Sequence, residues 1–492
     1  MRTLRSPWSR PKTSTATKLP LYGILLSLAT VAAPAQPALR QQLDSLMHAF
    51  ARNTFFSGVV LVANNDSLIY ERSFGFADRE RNIPNTASTS FNIASMGKTF
   101  TSVLIMQLVE SGRLDLHAPI RTYLSEDIPN ADRITIHHLL THTSGLSNYM
   151  MHPDYNDRRR KLRSLSDVME LVIRMPLAFD TPGERFEYSN SAYIVLGRII
   201  EKVTGKDYVT YVNEKLWRPL GMTGTFIAHP LVLDPPHQAM PYYVFSERSS
   251  VSALSDENPA FSDGGAFSNA RDLLKFLRAL LSETLLKPRT MQLMFTPYSK
   301  MSAQLSYGYG WSVAGESPGT RVVGHSGGGL GYSNDMRILP DKGTIVIVQA
   351  NLRTSPRSVT ESILRLLTKG TLDLPRQSPT SMLFGAMERK GVAAVLDSLD
   401  AVIASNGLTM PDSPRVLVDV ADAFSTLRRY DDALLVHRKN VSLFPASTMP
   451  YNAMGAMYLA MGKKNEAEQS FRKALEIDPH DAYARMQLGE SR

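Results

Sequence analysis

A serine hydroxyl is a weak nucleophile until a neighbouring group takes its proton. A lysine three residues further along a helix can do so, because positions i and i+3 share a face one turn apart. The helix N-terminus adds a positive field and free backbone N–H groups for a developing oxyanion. Removal from water favours the neutral amine that accepts the proton. The spacing S-x-x-K occurs three times in this chain, at Ser9…Lys12, Ser470…Lys473 and Ser95…Lys98. The first lies in an N-terminal segment with the marks of a removable leader. The second lies on a charged helical face, where Ser and Lys are ordinary. Only Ser95-Met96-Gly97-Lys98 opens a strongly apolar run, Thr99-Phe-Thr-Ser-Val-Leu-Ile-Met-Gln-Leu-Val109, which predicts a buried helix over residues 98–112.

Further segments follow in a fixed order. Phe91-Asn92-Ile93-Ala94 leads into Ser95. Then come Leu139-Leu-Thr-His-Thr-Ser-Gly-Leu146, Pro182-Gly-Glu-Arg-Phe-Glu-Tyr-Ser-Asn190 and Gly324-His-Ser-Gly-Gly328. Gly264-Gly-Ala-Phe-Ser-Asn-Ala-Arg-Asp-Leu273 and Tyr307-Gly-Tyr-Gly-Trp311 lie between the last two. Together they resemble the β-lactamase-related serine hydrolases, a family spanning class C β-lactamases, D,D-carboxypeptidases, D-aminopeptidases and carboxylesterases. The likeness covers residues 45–367. It implies Ser95 as nucleophile and Lys98 as its general-base partner. Tyr188, in a Y-x-N motif, would carry the proton to the leaving group and later activate the deacylating water. Asn190 would hydrogen-bond Lys98 and a substrate amide. Y-x-N also occurs at Tyr211-Val-Asn213 and Tyr332-Ser-Asn334, both out of the family's order. Tyr188 follows the turn Pro182-Gly183, so its ring can project from a loop into a cleft.

The third motif departs from the class C pattern, with His325-Ser326-Gly327 in place of K-T-G. By the resemblance these residues line the substrate, Gly327 because the backbone must lie close to it. The N–H of Gly328 would pair with that of Ser95 as an oxyanion hole. Histidine for lysine weakens a permanently positive contact for a substrate carboxylate. That favours an ester or amide substrate (a peptide, a D-amino acid peptide or a carboxylic ester). A β-lactam-hydrolysing or penicillin-binding D,D-carboxypeptidase is the alternative. The expected reaction needs neither metal nor organic cofactor.

Other readings compete. Gly324-His-Ser-Gly-Gly328 matches the G-x-S-x-G nucleophile elbow, which would make Ser326 the nucleophile. An elbow needs strand, tight turn and helix, whereas Gly329-Leu-Gly331 is too glycine-rich for a helix. His138 and His142 stand at i and i+4, but zincins place a glutamate beside the first histidine and here it is Leu139. A non-catalytic scaffold acting through C-terminal repeats is the third reading. The intact Ser95, Lys98, Tyr188 and Asn190 argue against it.

The elements that must position these residues are legible in outline. Gly58-Val-Val-Leu-Val-Ala63 and Ser67-Leu-Ile-Tyr70 predict a hairpin around Asn64-Asn65-Asp66. Residues 194–203 predict a helix, and Thr344-Ile-Val-Ile-Val-Gln-Ala350 a buried strand. Strands at both ends with helices between predict an α+β domain over residues 39–368: an antiparallel sheet flanked by helices, with a helical subdomain and the site in the cleft between them. The 228–259 stretch, with Tyr242 and Tyr243, is expected to wall that cleft. A linker holding Gly370, Pro375 and Pro379 follows at 369–381.

Residues 382–492 read as an all-α block. Placing Pro445 over Pro479 sets Leu417 over Tyr451, Ala421 over Gly455, Phe424 over Tyr458, Ala433 over Ala467, His437 over Phe471 and Asn440 over Ala474. This 34-residue period resembles the tetratricopeptide repeat, with a capping helix from Ala482 and a degenerate repeat over 380–405. Such repeats imply a possible protein partner. Two and a half of them can also serve simply to pack on the hydrolase or to pair subunits.

The formal charge of +8 includes Arg2, Arg5, Arg10, Lys12 and Lys18, and removing those five leaves +3, so no nucleic-acid partner is implied. That basic head precedes an apolar run, residues 19–33, and the exit Ala33-Pro34-Ala35, the three parts of a secretory signal peptide over residues 1–35. A retained anchor is the alternative, but the run is short for a span of about 20 residues. The expected location is periplasmic or secreted, with no membrane span after cleavage. Zero cysteines exclude disulfides and thiolate chemistry.

Overall fold

Eight strands form one antiparallel sheet among the described residues of the computed structural model, which are 36–227, 233–234, 237–246, 249–253, 260–315, 321–329, 331–352, 356–405 and 413–489. The leader and much of the 228–259 stretch lie outside them. The strands are β1 (Gly58–Ala63), β2 (Leu68–Phe74), β3 (Ser299–Lys300), β4 (Ser306–Tyr307), β5 (Ser312–Ala314), β6 (Val322–Gly329), β7 (Tyr332–Leu339) and β8 (Thr344–Ala350). They stand in the order β2-β1-β8-β7-β6-β5-β4-β3. The two strands read at the ends of the domain are central neighbours, in register from Gly58↔Ala350 to Ala63↔Ile345.

Both of those strands are buried on both faces, as their unbroken aliphatic runs require. The period of two divides them cleanly. Val60, Val62, Val346 and Val348 pack under helices Gln36–Thr54 and Pro356–Lys369, against Leu43, Phe50, Val359 and Ile363. Val59, Leu61, Ile345 and Ile347 face the other way, into the main core with Phe100, Val103 and Leu104 of helix Lys98–Glu110. That helix is buried nearly all round, including Lys98 and Thr99 in its first turn. Helix Asn190–Thr204 lies alongside it. Ser189 caps its start by accepting from the Ala192 N–H, and Gly205 ends it at φ +73°. Asn190 therefore sits in the first helical turn, while Tyr188 stays on the incoming loop.

The chain runs without regular structure over residues 370–378 and re-enters helix at Pro379–Lys390. Helix pairs Arg415–Thr426/Tyr430–Leu443 and Thr448–Ala460/Lys464–Ile477 follow, then Ala482–Gln487. The second pair packs as the repeat pattern demands: a Cβ on Gly455 would fall 2.6 Å from the Phe471 ring, so only a small residue fits. The first pair puts His437 and Asn440 in the buried positions of Phe471 and Ala474. Asn440 donates to the Pro414 carbonyl, but neither ring nitrogen of His437 has a hydrogen-bond partner among the described residues. Among the described residues no helix is long and apolar enough to cross a membrane.

The repeats are fastened to the hydrolase by a hairpin, Tyr242–Val244 with Ser250–Ser252. Phe245 packs on the repeat core, its ring centroid 5.8 Å from that of Phe384. The Glu388 carboxylate accepts from the hydroxyls of Ser246 and Ser249. Glu388→Ala should remove the carboxylate that ties Ser246 and Ser249 to the repeat block and loosen the hairpin. A lost hydrogen bond of about 1–1.5 kcal/mol corresponds to about tenfold faster amide exchange over residues 242–252 with the sheet unchanged, which hydrogen–deuterium exchange will read.

Candidate active site

Ser95 lies in a short 3₁₀ turn, Ala94–Gly97, that runs straight into helix Lys98–Glu110. The turn is wedged between two glycine segments. On one side is β6: a Cβ on Gly327 would fall 2.0 Å from the Ile93 carbonyl oxygen and 3.1 Å from Met96 N. On the other is Gly264, at φ +145°, where a Cβ would fall 2.5 Å from the Ala94 oxygen. The next N–H, that of Gly265, donates to the Ala94 carbonyl at 3.2 Å. Ala94 itself is held at φ +45°, a conformation that costs a non-glycine residue about 1–2 kcal/mol. The glycine of the H-S-G motif is thus required by the turn that carries the serine, a closer constraint than the substrate contact expected from the sequence.

Lys98 is fully buried, and its amine has three partners. Nζ lies 3.1 Å from Ser95 Oγ, 2.7 Å from Asn190 Oδ1 and 2.6 Å from the Asp263 backbone oxygen. The two carbonyl oxygens can only accept, so they claim two N–H bonds in either charge state. The third contact is to a hydroxyl, which can accept from an ammonium or donate to a free amine. Proton exchange is thereby directed at Ser95. Asn190 is fixed in turn, its Nδ2 pointing at Met150 Sδ, 3.4 Å away.

Tyr188 reaches this group by its ring: Lys98 Nζ lies over the ring, 5.0 Å from the centroid, and over Tyr193 at 5.5 Å. No hydrogen bond joins Tyr188 to Ser95 or Lys98 among the described residues. His325 lies on the same face of β6 as Gly327, buried, with both nitrogens engaged. Nδ1 lies 2.6 Å from the Ser326 carbonyl, which can only accept, so Nδ1 carries the proton. Nε2 then accepts from the Tyr307 hydroxyl at 2.9 Å. Burial, and next the nearby Lys98 charge, push His325 down to about 3. It is neutral at physiological pH and has no free N–H.

Ser326 projects from the opposite face of β6. Its hydroxyl donates to Asp335 Oδ1 at 2.7 Å and accepts from Arg337 at 3.1 Å and Arg357 at 3.4 Å, which uses its hydrogen-bonding capacity in full. It stands in mid-strand, not at a strand–turn–helix elbow. Gly328 is exposed and open around its Cα, with only the Tyr332 oxygen within 4 Å of a notional Cβ. Strand β5 pairs with β6 only as far as Gly324, so that edge of residues 325–329 is not covered by it.

Two participants escaped the sequence reading, the Asp263 carbonyl and the Tyr307 hydroxyl. Both stand in or beside matched stretches, Asp263 directly before Gly264 and Tyr307 at the head of Tyr-Gly-Tyr-Gly-Trp. Neither has a local periodicity that would mark it, since Asp263 meets Lys98 across 165 residues of chain. The histidines that suggested a metal are otherwise occupied. His138 Nδ1 closes a capping box with Thr135, and His142 Nδ1 accepts from the Ser189 N–H at 3.1 Å. Among the described residues no cluster of three His, Asp or Glu side chains is placed to hold a metal.

The interior is rich in histidines that resist protonation. Burial first, then the neighbouring His138 and His117, lower His137 to about 4; burial, then the Lys98 charge, hold His142 well below its ordinary 6.5; burial lowers His437 to about 4. The unfolded chain takes up these protons near pH 6.5 and the folded chain does not. The stability they confer is complete above that value and is lost as pH falls towards 4. Asp263 works oppositely: burial pushes it up to about 6 against the pull of Lys98, so its contribution is full below 3.8 and lost as pH rises through 6. With His138 and His325 included, five histidines oppose two aspartates, Asp263 and Asp422, and calorimetry should show the melting temperature falling steadily from pH 7 to pH 4.5.

The family model described as Beta-lactamase matches residues 40–368, and the tetratricopeptide repeat model matches residues 450–481. The chain is 30% identical to penicillin-binding protein 4* of Bacillus subtilis (strain 168) over 324 residues, 62% of this chain and 71% of that protein. It is 32% identical to esterase EstB of Burkholderia gladioli over 222 residues, 42% of this chain and 55% of that one. Among solved structures, a penicillin-binding protein from Bacillus halodurans superposes with a TM-score of 0.60 at 32% identity, covering 66% of this chain and 98% of the other. A D-stereospecific amidohydrolase from Streptomyces sp. does so at 0.57 and 25%, covering 69% and 100%. With the turn, the buried lysine and the sheet already in place, these matches make the chain a member of the Beta-lactamase family, a serine hydrolase with tetratricopeptide-type repeats following its catalytic domain.

Proposed function

We propose that Ser95 is the nucleophile of an acyl-enzyme mechanism acting on an ester or amide, with Lys98 as its base. The carrying observation is the arrangement of acceptors around Lys98, which leaves its proton exchange directed at Ser95 Oγ. As Oγ attacks the substrate carbonyl carbon, its proton passes to Nζ. The oxyanion is met by the N–H groups of Ser95 and Gly328. The carbon–leaving-group bond then breaks, and the leaving oxygen or nitrogen takes a proton delivered through Tyr188. Water, deprotonated along the same route, attacks the acyl carbon and releases Ser95. Asn190 holds Lys98 and faces the substrate amide. The exposed edge of residues 325–329 lets an extended substrate lie along β6.

The neutral, fully engaged His325 supports substrates without a carboxylate beside the scissile bond: carboxylic esters, peptides or D-amino acid peptides. The penicillin-binding relatives support a second reading, capture or slow turnover of β-lactams by the same serine. We infer the chain's division as a leader (1–35), hydrolase (39–368), linker (369–381) and repeat block (382–492). Leader removal would deliver the enzyme to the periplasm or the medium, and the repeats offer a surface for a protein partner.

Intact mass after treatment with a fluorophosphonate, a penicillin and a panel of acyl esters tests the reading. One adduct is expected on the wild-type chain and on Ser326→Ala, and none on Ser95→Ala. Lys98→Ala should slow acylation by about 10²–10⁴-fold. A wild-type chain that takes no adduct from any reagent would overturn the mechanism.

A further inference from the structure

His142 is the residue of the site that neither the mechanism nor a metal accounts for. It is completely buried, and it sits at φ +56°, a left-handed conformation uncommon for a residue with a side chain. Its polar atoms are directed at one short segment. Its backbone oxygen accepts from the Glu187 N–H at 2.8 Å, and its ring Nδ1 accepts from the Ser189 N–H at 3.1 Å. These two bonds fall on either side of Tyr188. Between them the imidazole lies against the Tyr188 ring, centroids 4.3 Å apart and planes 35° apart.

The acceptor role fixes the ring's tautomer. With Nδ1 taking the Ser189 proton, the ring proton sits on Nε2, which has no hydrogen-bond partner among the described residues. The bond to the Ser189 amide is thus the one use the structure makes of the ring's polarity. The same bond acts on two functional positions, because Ser189 joins Tyr188 to Asn190, whose Oδ1 holds Lys98. The titratable groups facing the ring are Lys98, Tyr188, Tyr193, Tyr307 and His325, with the Phe186 ring packed beside them. Burial first, then the Lys98 charge, hold the ring well below its ordinary pKa, so the acceptor persists at any pH at which the enzyme stays folded near neutrality.

We propose that His142 is a positioning residue, which brackets the 187–189 segment by its carbonyl and Nδ1 and so sets Tyr188 and Asn190 against Lys98. The proposal rests on the assignment of Tyr188 to proton transfer. It turns the Leu-Leu-Thr-His-Thr-Ser-Gly segment from a bystander loop into part of the machinery that orients the site.

Two near-isosteric variants separate the acceptor from the bulk. His142→Asn puts an amide oxygen where Nδ1 lies and tolerates positive φ. His142→Gln keeps the size but carries its amide to the position of Nε2, leaving the Ser189 N–H unpaired. With the acyl ester that reacts fastest with the wild-type enzyme, His142→Asn should keep kcat within about fivefold. His142→Gln should lower kcat by about 10–100-fold with KM within about threefold. In a Tyr188→Phe background, His142→Gln should cost clearly less than in the wild-type enzyme, because part of its effect passes through Tyr188 and only the Asn190 part is left. Equal losses in the Asn and Gln variants, or a Gln loss that adds in full to that of Tyr188→Phe, would overturn the positioning role while leaving the mechanism intact. A Tyr188→Phe enzyme with unchanged kcat would instead overturn the Tyr188 assignment, and this proposal with it.

Discussion

A buried amine keeps a fixed direction only if its acceptors are fixed, and Lys98 draws its acceptors from three separated parts of the chain. Ser95 comes from the turn before its own helix, Asn190 from the start of a second helix, and the Asp263 oxygen from the loop before the helix at 270. An amine in water would sample many partners. Enclosed here, it has two that can only accept and one that can reverse roles. Most of what surrounds it serves to hold those three oxygens still: the all-round burial of helix 98–110, the Ser189 cap on helix 190–204, and the Gly264–Gly265 contact with Ala94.

That constraint explains where the domain accepts local cost. Ala94 and His142 both adopt positive φ in spite of their side chains, and each hands a backbone carbonyl to a functional segment. The Ala94 oxygen receives Gly265, which locks the loop of the third acceptor to the turn that carries Ser95. The His142 oxygen receives Glu187, next to Tyr188. Gly264 and Gly327 avoid this cost by lacking a Cβ, and both do so where another segment's carbonyl would otherwise be struck. Strain and glycine are two solutions to one requirement, the close approach of three chain segments around Ser95.

Much of this was legible in the sequence because the unbroken aliphatic runs at residues 58–63 and 344–350 are short and rich in β-branched residues, which favours buried strands, and the longer apolar run after Lys98 favours a buried helix. The repeat block was legible for a similar reason: its 34-residue spacing aligns small and aromatic positions of successive helix pairs, and within one pair Gly455 leaves room for Phe471. The site's residue types were legible as ordered motifs, but their contacts were not. His325 read as a weakened cation and is a neutral group tied to Tyr307 and its own neighbour's carbonyl. Ser326 read as a substrate contact and has its hydroxyl saturated by Asp335 and two arginines. In both cases the deciding partner is a cross-strand or long-range one, and side-chain facing follows from the register of β6 on β7, which the sequence pattern of Gly324–Gly329 leaves open.

The repeats enter the same chain of constraints from outside. The hairpin that holds Phe245 and Ser246 against the repeat helices has its base beside the β6–β7 turn, where a Cβ on Gly331 would fall 2.8 Å from Tyr242 N. Tyr242 is pinned further, its N–H donating to the Asn351 oxygen and its hydroxyl accepting from the Arg79 N–H. Contact alone transmits no free energy, so this continuity does not make the repeats an effector domain. It does restrict them mechanically. The repeat block cannot swing relative to the hydrolase without breaking the Phe245 and Glu388 contacts or bending a hairpin whose base abuts the turn that follows Gly328.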